Sequence, residues 1–526
     1  MTASRRAVAL ATVLSLSALS LSACMVGPNY QRPPPADPPV LEFKETTGPV
    51  VGGADNFRPA QPRDAIDRGP WWTMYGDSVL DGVAAQVDIS NQTLMQAEAA
   101  YRQARALVRQ DASGLYPTVS GNAGYTQSGS GTGGGRSTQG GIVSSGSGSL
   151  SQFTAGPSLN WQADLWGRIR RQIESDSAAA QASAADLANA RLSAQANVAI
   201  NYFSMRISEQ RILLFQASVA AFTRSLEIVQ NQLDAGIVSR VDLAQAQTQV
   251  EQTRAQLVAE NINRATFEHA VAVLVGKSPS AFSIEPGPLT DDVPTFDAGV
   301  PSALLERRPD IAAAERLMAS ANAAIGVAQA AYYPDISLAA TVTLVASSLL
   351  PLLQLSNAVW SVGPQLAATL IDGGALKAQV EGARAKYDGQ VANYRQTILV
   401  AFQQIEDALV QQRVLVQQEQ VQRAAVAAAR EAERLSLNQY TQGTVPYTTV
   451  VTTQTAALTA EQALLNVRLS RLTTSANLVL ALGGGWGNTD LPAPMPIGGL
   501  DQTPQPAIPN AQSIAPQRQW WKFWGR

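Results

Sequence analysis

Residues 192–207 read Leu192-Ser-Ala-Gln-Ala-Asn-Val-Ala-Ile-Asn-Tyr-Phe-Ser-Met-Arg-Ile207. Apolar or small residues recur at Leu192, Ala196, Ala199, Phe203 and Ile207. That 4-3-4-4 spacing marks one face of a helix near the heptad period. The surrounding segment, 166–234, has no proline, and its only early glycine is Gly167. A second segment, 374–441, carries Ile398, Phe402, Ile405 and Leu409 in the same rhythm. At 1.5 Å per residue, roughly 65 residues of helix extend about 100 Å. A compact core has no use for a helix that long, so the spacing predicts an elongated coiled coil or tunnel.

The two segments belong to a duplication. Gln232-Leu-Asp-Ala-Gly236 is answered by Gln439-Tyr-Thr-Gln-Gly443, and Val275-Gly276 by Leu482-Gly483. Both pairs are offset by 207 (443 − 236; 483 − 276). Leu115-Tyr116-Pro117 is answered by Tyr332-Tyr333-Pro334 at an offset of 217 (334 − 117). The first half therefore carries about ten extra residues, and the Gly/Ser tract at 128–151 accommodates them as a loop. Each half reads helix, hairpin, very long helix, tight turn, helix.

The hairpins have a period of two. Ile336, Leu338, Ala340, Val342 and Leu344 alternate with Asp335, Ser337, Ala339, Thr341 and Thr343. Val119, Gly121, Ala123 and Tyr125 alternate with Thr118, Ser120, Asn122 and Thr126, and Trp360 to Leu370 repeats the pattern. Such runs fit membrane β-strands around a wet lumen. They also fit a water-soluble sheet packed on one face, and the N-terminus decides between the two. Arg5 and Arg6, an apolar run at 7–21 and Leu21-Ser22-Ala23-Cys24 form a secretory signal peptide over residues 1–23. The last four residues resemble a bacterial lipobox, which implies a Cys24 carrying N-acyl and S-diacylglycerol lipid. Cys24 is the only cysteine, so no intramolecular disulfide forms, and Met25 in place of Asp implies sorting to the outer membrane. Four strands cannot close around a pore, because small barrels need about 8 or more. The chain must then oligomerise.

Composition narrows the function. A net charge of −3 over 526 residues leaves no nucleic-acid footprint. After the signal peptide no run of 18 or more continuous apolar residues occurs, so a membrane crossing calls for a closed barrel. His269 is the sole histidine and has no Asp or Cys arranged around it in sequence, which makes it a surface or packing residue. Gly483-Gly-Gly485 lacks the Lys and Ser/Thr of a phosphate loop. Nothing spaces a catalytic set, a metal or a cofactor, and an enzyme is rejected.

Cys24-Met-Val-Gly-Pro-Asn-Tyr-Gln-Arg-Pro33, Trp71-Trp72 and the two Gly-centred turns resemble the TolC-like outer-membrane efflux proteins. The likeness is to their lipoprotein branch, typified by OprM and the nodulation-T type proteins. That resemblance implies a mainly α fold with membrane β. A homotrimer closes a 12-stranded β-barrel, continued by a periplasmic α-helical barrel. The implied partners are a periplasmic adaptor protein, an inner-membrane pump and outer-membrane lipid, with small molecules as cargo. A protein-secretion duct is an alternative, and a structural coiled-coil tether is a poorer one, since a tether has no use for amphipathic strands. The implied segments are the lipidated strap 24–70, a first repeat 71–276, a linker 277–300, a second repeat 301–485 and a disordered tail 486–526. That tail ends in Trp520-Trp521-Lys522-Phe523-Trp524.

Gly236 and Gly443 each end a long helix, where glycine adopts the left-handed cap. The resemblance implies that these turns form the periplasmic mouth. Gly236, Ile237, Val238 and Ser239 on one side, and Gly443, Thr444 and Val445 on the other, are the implied tips for adaptor docking. Asp242 matches the family's first-turn acid and Tyr440 the tyrosine that bonds it, with Arg240 joining the network. Residues 445–455 carry no acid, and Thr449 and Thr452 stand where the family's pore acids occur. The mouth is therefore expected to select cations weakly.

Overall fold

The computed structural model describes residues 25–33, 70–129, 138–139, 142–143, 149–289, 293–294, 307–487 and 490–494. Cys24, the signal peptide, most of the strap, the end of the linker with the start of the second repeat, and the end of the tail lie outside them.

The duplication is drawn to the residue. Helix α1 (Ser78–Ser90) and helix α2 (Gln92–Ala112) lead into strands β1 (Thr118–Gly129) and β2 (Ser149–Ala163). Helix α3 (Arg168–Asp234) follows, then helix α4 (Arg240–Leu274). In the second half come α5 (Pro309–Ala330), β3 (Asp335–Ala346), β4 (Ala358–Ala367), α6 (Ala375–Thr441) and α7 (Tyr447–Ala481). α3 and α6 are both 67 residues long and α4 and α7 both 35, displaced by 207 (375 − 168; 447 − 240). Each long helix is thus about 100 Å from end to end. An 18-residue window of α3 has a mean hydropathy of 1.4, yet that helix also buries Arg171, Asp176, Arg206 and Glu209.

The shorter helices stack end to end beside the long ones. α3 packs on α4 and α2, and α6 on α7 and α5, while α3 also packs on α5 and α7. At the first joint the Asn91 amide donates to Leu274 O (2.6 Å) and Ser90 Oγ to Val275 O (2.6 Å). At the second, Arg308 Nη1 donates to Ala481 O (2.8 Å). These are the same joint made twice: Asn91 and Arg308 differ by 217, and Leu274 and Ala481 by 207. Each donor satisfies a carbonyl that a helix end leaves orphaned. Gly276 and Gly483 adopt φ of +68° and +84° as left-handed helix caps, closed by Lys277 N to Ala272 O (2.9 Å) and Gly484 N to Val479 O (3.0 Å), and both lie too close to Ser90 O and Arg307 O to admit a Cβ. The main core lies at this level. Trp71, Tyr75, Leu80 and Val87 pack against Ala199, Phe203 and Met205 of α3, and against Val271 and Leu472. Tyr75 Oη shares a 2.6 Å hydrogen bond with Ser475 Oγ.

The four long strands form one antiparallel sheet in the order β1-β2-β3-β4. A further two-residue ladder pairs Thr138 and Gln139 with Val143 and Ile142. Register divides the long sheet cleanly. Val119, Leu159, Ala340 and Val362 are neighbours across one face, and Tyr125, Phe153, Val342 and Trp360 extend it. On the opposite face lie Ser120, Ser158, Thr341 and Ser361. There Ser120 bonds Ser158 (2.8 Å) and Thr341 bonds Ser361 (2.8 Å). This is the apolar-out, polar-in division of a membrane barrel wall. Aromatic residues gather where the sheet meets the helices: Trp166 stacks on Tyr333 (4.8 Å) and donates to Pro334 O (2.8 Å). Belts of this kind sit at membrane–water interfaces.

Three local expectations change. The opening helix of the first half breaks at Asn91, whose side chain accepts from Leu94 N and caps α2. The β4 alternation stops at Ala367 and does not continue to Leu370. The start of the tail is packed rather than disordered. Trp486 and Leu491 lie against Ala185, Ala312 and Ala313, and Gln181 holds Pro492 O (2.8 Å). Those two apolar side chains find a small-residue surface, which is what a disordered segment lacks.

Candidate functional site

The strap enters the fold through a buried arginine. Arg171 is 1% exposed and donates to Val26 O (3.1 Å), Gly27 O (3.0 Å) and Asn29 Oδ1 (2.9 Å). Asn322 donates to Pro28 O (3.0 Å), and Val26 N to Trp166 O (3.1 Å). Gly27 has φ +106° and lies so close to Gly326 that a Cβ would sit 2.5 Å from its Cα. The residues after Cys24 are therefore held at the junction of β2 and α3. Sequence reading missed this clamp, since Arg171 looks like a solvated charge at a helix start. The Gly-Pro of the strap was the available signal.

The opposite end of the helices holds the predicted mouth. Gly236 and Gly443 both adopt φ +74°. Ile237 N bonds Gln232 O (2.8 Å) and Thr444 N bonds Gln439 O (3.0 Å), so both turns close with the same six-to-one bond. A shared apolar cluster joins the turns: Val229, Ala246, Tyr440, Tyr447 and Val450 are buried, with Val238 and Val445 packed beside them. The geometry thus brings the two predicted tips together. Ile237 is 72% exposed, and Ser239 and Thr444 are exposed as well, so polar and apolar groups stand free at the very end.

Asp242 and Tyr440 are neighbours but are not hydrogen-bonded within the chain. Asp242 Oδ2 accepts from Ser239 N (3.0 Å) and Ser239 Oγ (2.8 Å), forming a capping box at the start of α4. Tyr440 is 4% exposed, its ring lies 5.2 Å from that of Tyr447, and its buried hydroxyl finds no partner. Burial, with the Asp242 charge added, pushes the Tyr440 phenol above its ordinary range. The same two causes, with Tyr440 between them, raise Tyr447 to about 12. Both phenols therefore act as donors at neutral pH. Within one chain the acid caps a helix N-terminus through Oδ2, and Tyr440 does not bond it.

A groove of about 630 Å³ runs between α4 and α7 beside the turns. Arg240, Gln245, Thr248, Thr448 and Thr452 line it, and Arg240 is the only charged residue among them. Thr452 Oγ1 donates back to Thr448 O (2.8 Å) and Thr248 Oγ1 to Ala244 O (2.7 Å), so these two hydroxyls already donate within their helices. The structure places Arg240 exposed at the groove rather than in contact with Asp242 or Tyr440. His269 is exposed on α4, and no group of three or more His, Cys, Asp or Glu side chains that could hold a metal occurs among the described residues.

The family described as "Outer membrane efflux protein" matches residues 83–277 and 300–484. The "probable efflux pump outer membrane protein TtgC" of Pseudomonas putida is 30% identical over 484 residues, covering 90% of this chain and 95% of that one. The "cation efflux system protein CusC" of Escherichia coli is 27% identical, covering 89% and 97%. The solved outer-membrane channel OprN superposes with a TM-score of 0.76 at 26% identity, covering 88% of this chain and all of OprN.

Proposed function

The chain belongs to the outer membrane efflux protein family, and from that premise we propose that three copies form a lipid-anchored duct gated at its glycine turns. It is an outer-membrane efflux channel of the tripartite kind. The observation that carries the proposal is the two-faced, four-stranded sheet set at one end of two 67-residue helices. Its outer strands, β1 and β4, keep unpaired edges among the described residues, and a barrel closes only when such edges pair. Three times four strands is the count that the family resemblance implies.

In this reading the polar sheet face lines the duct and the long helices carry it across the periplasm. Cys24 bears the acyl chains, and the Arg171 clamp fixes the following residues near the aromatic belt. An adaptor docks at Gly236–Ser239 and Gly443–Val445 and opens the mouth, which Asp242, Tyr440 and Arg240 bias shut. An inner-membrane pump supplies small molecules as cargo. The relatives' printed names extend from a general efflux pump to cation efflux. The Arg240 groove, with its uncharged hydroxyl and amide lining, supports cargo other than metal cations.

Chemical cross-linking of the purified protein in detergent tests the assembly. A ladder ending at trimer is expected. A monomer that retains full β-content by circular dichroism refutes shared barrel closure.

A further inference from the structure

The tip of the second hairpin is apolar in a way that the channel reading does not use. From 336 to 371 the sequence has no charged residue at all. Within it, residues 347–357 join β3 to β4 and carry five leucines. Only Leu352 is tucked away, at 9% exposure, while Leu350, Leu353 and Leu355 are 96%, 80% and 90% exposed. Leu349, at 68%, stands with them.

This is not a loop short of internal order. Leu352 N bonds Leu349 O (3.3 Å), Gln354 N bonds Pro351 O (3.1 Å) and Asn357 N bonds Gln354 O (3.0 Å). The Asn357 amide closes the loop by donating to Pro351 O (2.7 Å). The loop is ordered by consecutive turns, and four of its five leucines are still exposed. Four exposed leucines gathered on one loop mark a contact with another phase or molecule. The first hairpin differs: its tip is the Gly/Ser tract, which includes Arg136.

We propose that this loop is a lipid-inserting knuckle, seated in the membrane at the outer rim of the barrel. Continuity with the lipid-facing surface identifies the occupant. Leu344 and Ala346 bring the apolar face of β3 up to the loop, and Ala358 and Trp360 carry it down β4. Ala346 pairs with Phe153, whose ring lies 4.7 Å from Tyr125, and Trp360 is 71% exposed on the same face. Aromatic residues in this position mark the interface level. The leucines continue the apolar surface past that level without a charge to stop it. Each second hairpin then grips the bilayer from the rim, opposite in depth to the anchor implied at Cys24. The inference rests on the outer-membrane placement of the sheet.

The test uses the full-length channel in phosphatidylcholine vesicles whose acyl chains are brominated near their carbonyl ends. Leu350→Cys, labelled with an environment-sensitive nitrobenzoxadiazole dye, should lose most of its fluorescence to these lipids and resist aqueous iodide. Unsubstituted protein sets the background from Cys24. Val362→Cys, on the apolar strand face, tests membrane placement separately and should be quenched by lipid whatever the loop does. Quenching at residue 350 by iodide and not by lipid overturns the proposal. Protection from both quenchers also overturns it, because the loops would then cover one another across the pore. In that case a Leu350→Ser/Leu353→Ser channel should conduct more than the unsubstituted one. If Leu350→Cys fails to assemble, Leu353→Cys gives the same reading.

Discussion

Tyr440→Phe separates the two jobs that the mouth assigns to one hydroxyl. Within a single chain that hydroxyl is buried and unpartnered. Leaving a polar group in that condition costs about 1–3 kcal/mol. Its removal alone should therefore leave the isolated protomer at least as stable as before, with a gain of up to about 1–3 kcal/mol. The assembled channel behaves differently under the gate proposed above. The capping box occupies Oδ2 of Asp242 and leaves Oδ1 for a further donor. A phenol bonded to that carboxylate is worth about 1.5–3 kcal/mol when shielded, and less where water reaches the mouth. Three copies bias closure by a few kcal/mol, and about 3 kcal/mol is roughly a hundredfold in the ratio of closed to open channels. Tyr440→Phe should therefore raise resting conductance in a planar bilayer and sensitise cells to large antibiotics such as vancomycin. Thermal unfolding of the protomer should move upward or stay in place. A channel as closed as the unsubstituted one, with unchanged stability, refutes the assignment of the gate to this pair.

Three further outcomes are expected. Gly276→Ala and Gly483→Ala should be severe, on the order of 4 kcal/mol, because a Cβ would lie 1.9 Å from Ser90 O and 2.1 Å from Arg307 O. Gly236→Ala and Gly443→Ala meet open space and should cost only the left-handed penalty of about 1–2 kcal/mol, so equal unfolding shifts in the two pairs would contradict the stacked-joint geometry. Burial, then a hydrogen bond shared with Asp111, raises the Asp176 carboxyl to about 7. The native state thus ionises this group later than the unfolded chain. Its stability is fullest below the ordinary carboxylate range and is lost as pH rises through about 7, so Asp176→Asn should gain about 1–2 kcal/mol at pH 8 and little at pH 4, measured by thermal unfolding. Cys24→Ser should abolish incorporation of radiolabelled fatty acid, and label on the variant would remove the lipobox reading.

Much of the fold was legible because its signals are long. Two proline-free stretches with helical spacing and two glycine turns at one offset placed the two long helices to within two residues of the observed bounds. Alternation located β1, β3 and β4, and the register bears out the faces assigned to them. β2 carried a weaker signal, since Gly156 and Pro157 interrupt its alternation and its first residues merge with the Gly/Ser tract. The break at Asn91 was readable in principle, because asparagine is a preferred helix cap, but a single cap is faint inside a long helical pattern. At the mouth, spacing placed Asp242 and Tyr440 at one end but could not show that Ser239 would claim the carboxylate first. The Arg171 clamp was faint because half of its partners are backbone carbonyls of the strap, which no side-chain pattern reports, and only the Gly-Pro at 27–28 hinted at it.

The duplication also explains why the two halves hold their charges differently at mid-height. In the first half, Glu209 is 6% exposed and joins Arg206 (2.8 Å) and Arg264 (3.0 Å). Those arginines also donate to Glu285 O and Ile284 O, pinning the segment between the repeats. Adding 207 turns Arg206 into Arg413, Arg264 into Arg471 and Glu209 into Val416. The acid has not been lost. Glu419 stands three residues on, about one helical turn, 4% exposed among Arg423, Arg468 and Arg471. Burial would raise its carboxyl, yet the bonds from Arg471 and Arg423 prevail and hold it below the usual range. A buried charge left without its partner costs about 3–5 kcal/mol, so neither repeat can drop its acid while keeping its arginines. Glu209 is held where a connecting segment lends carbonyls to the arginines. Glu419 instead sits where a third arginine is within reach, and the same constraint is met one turn away.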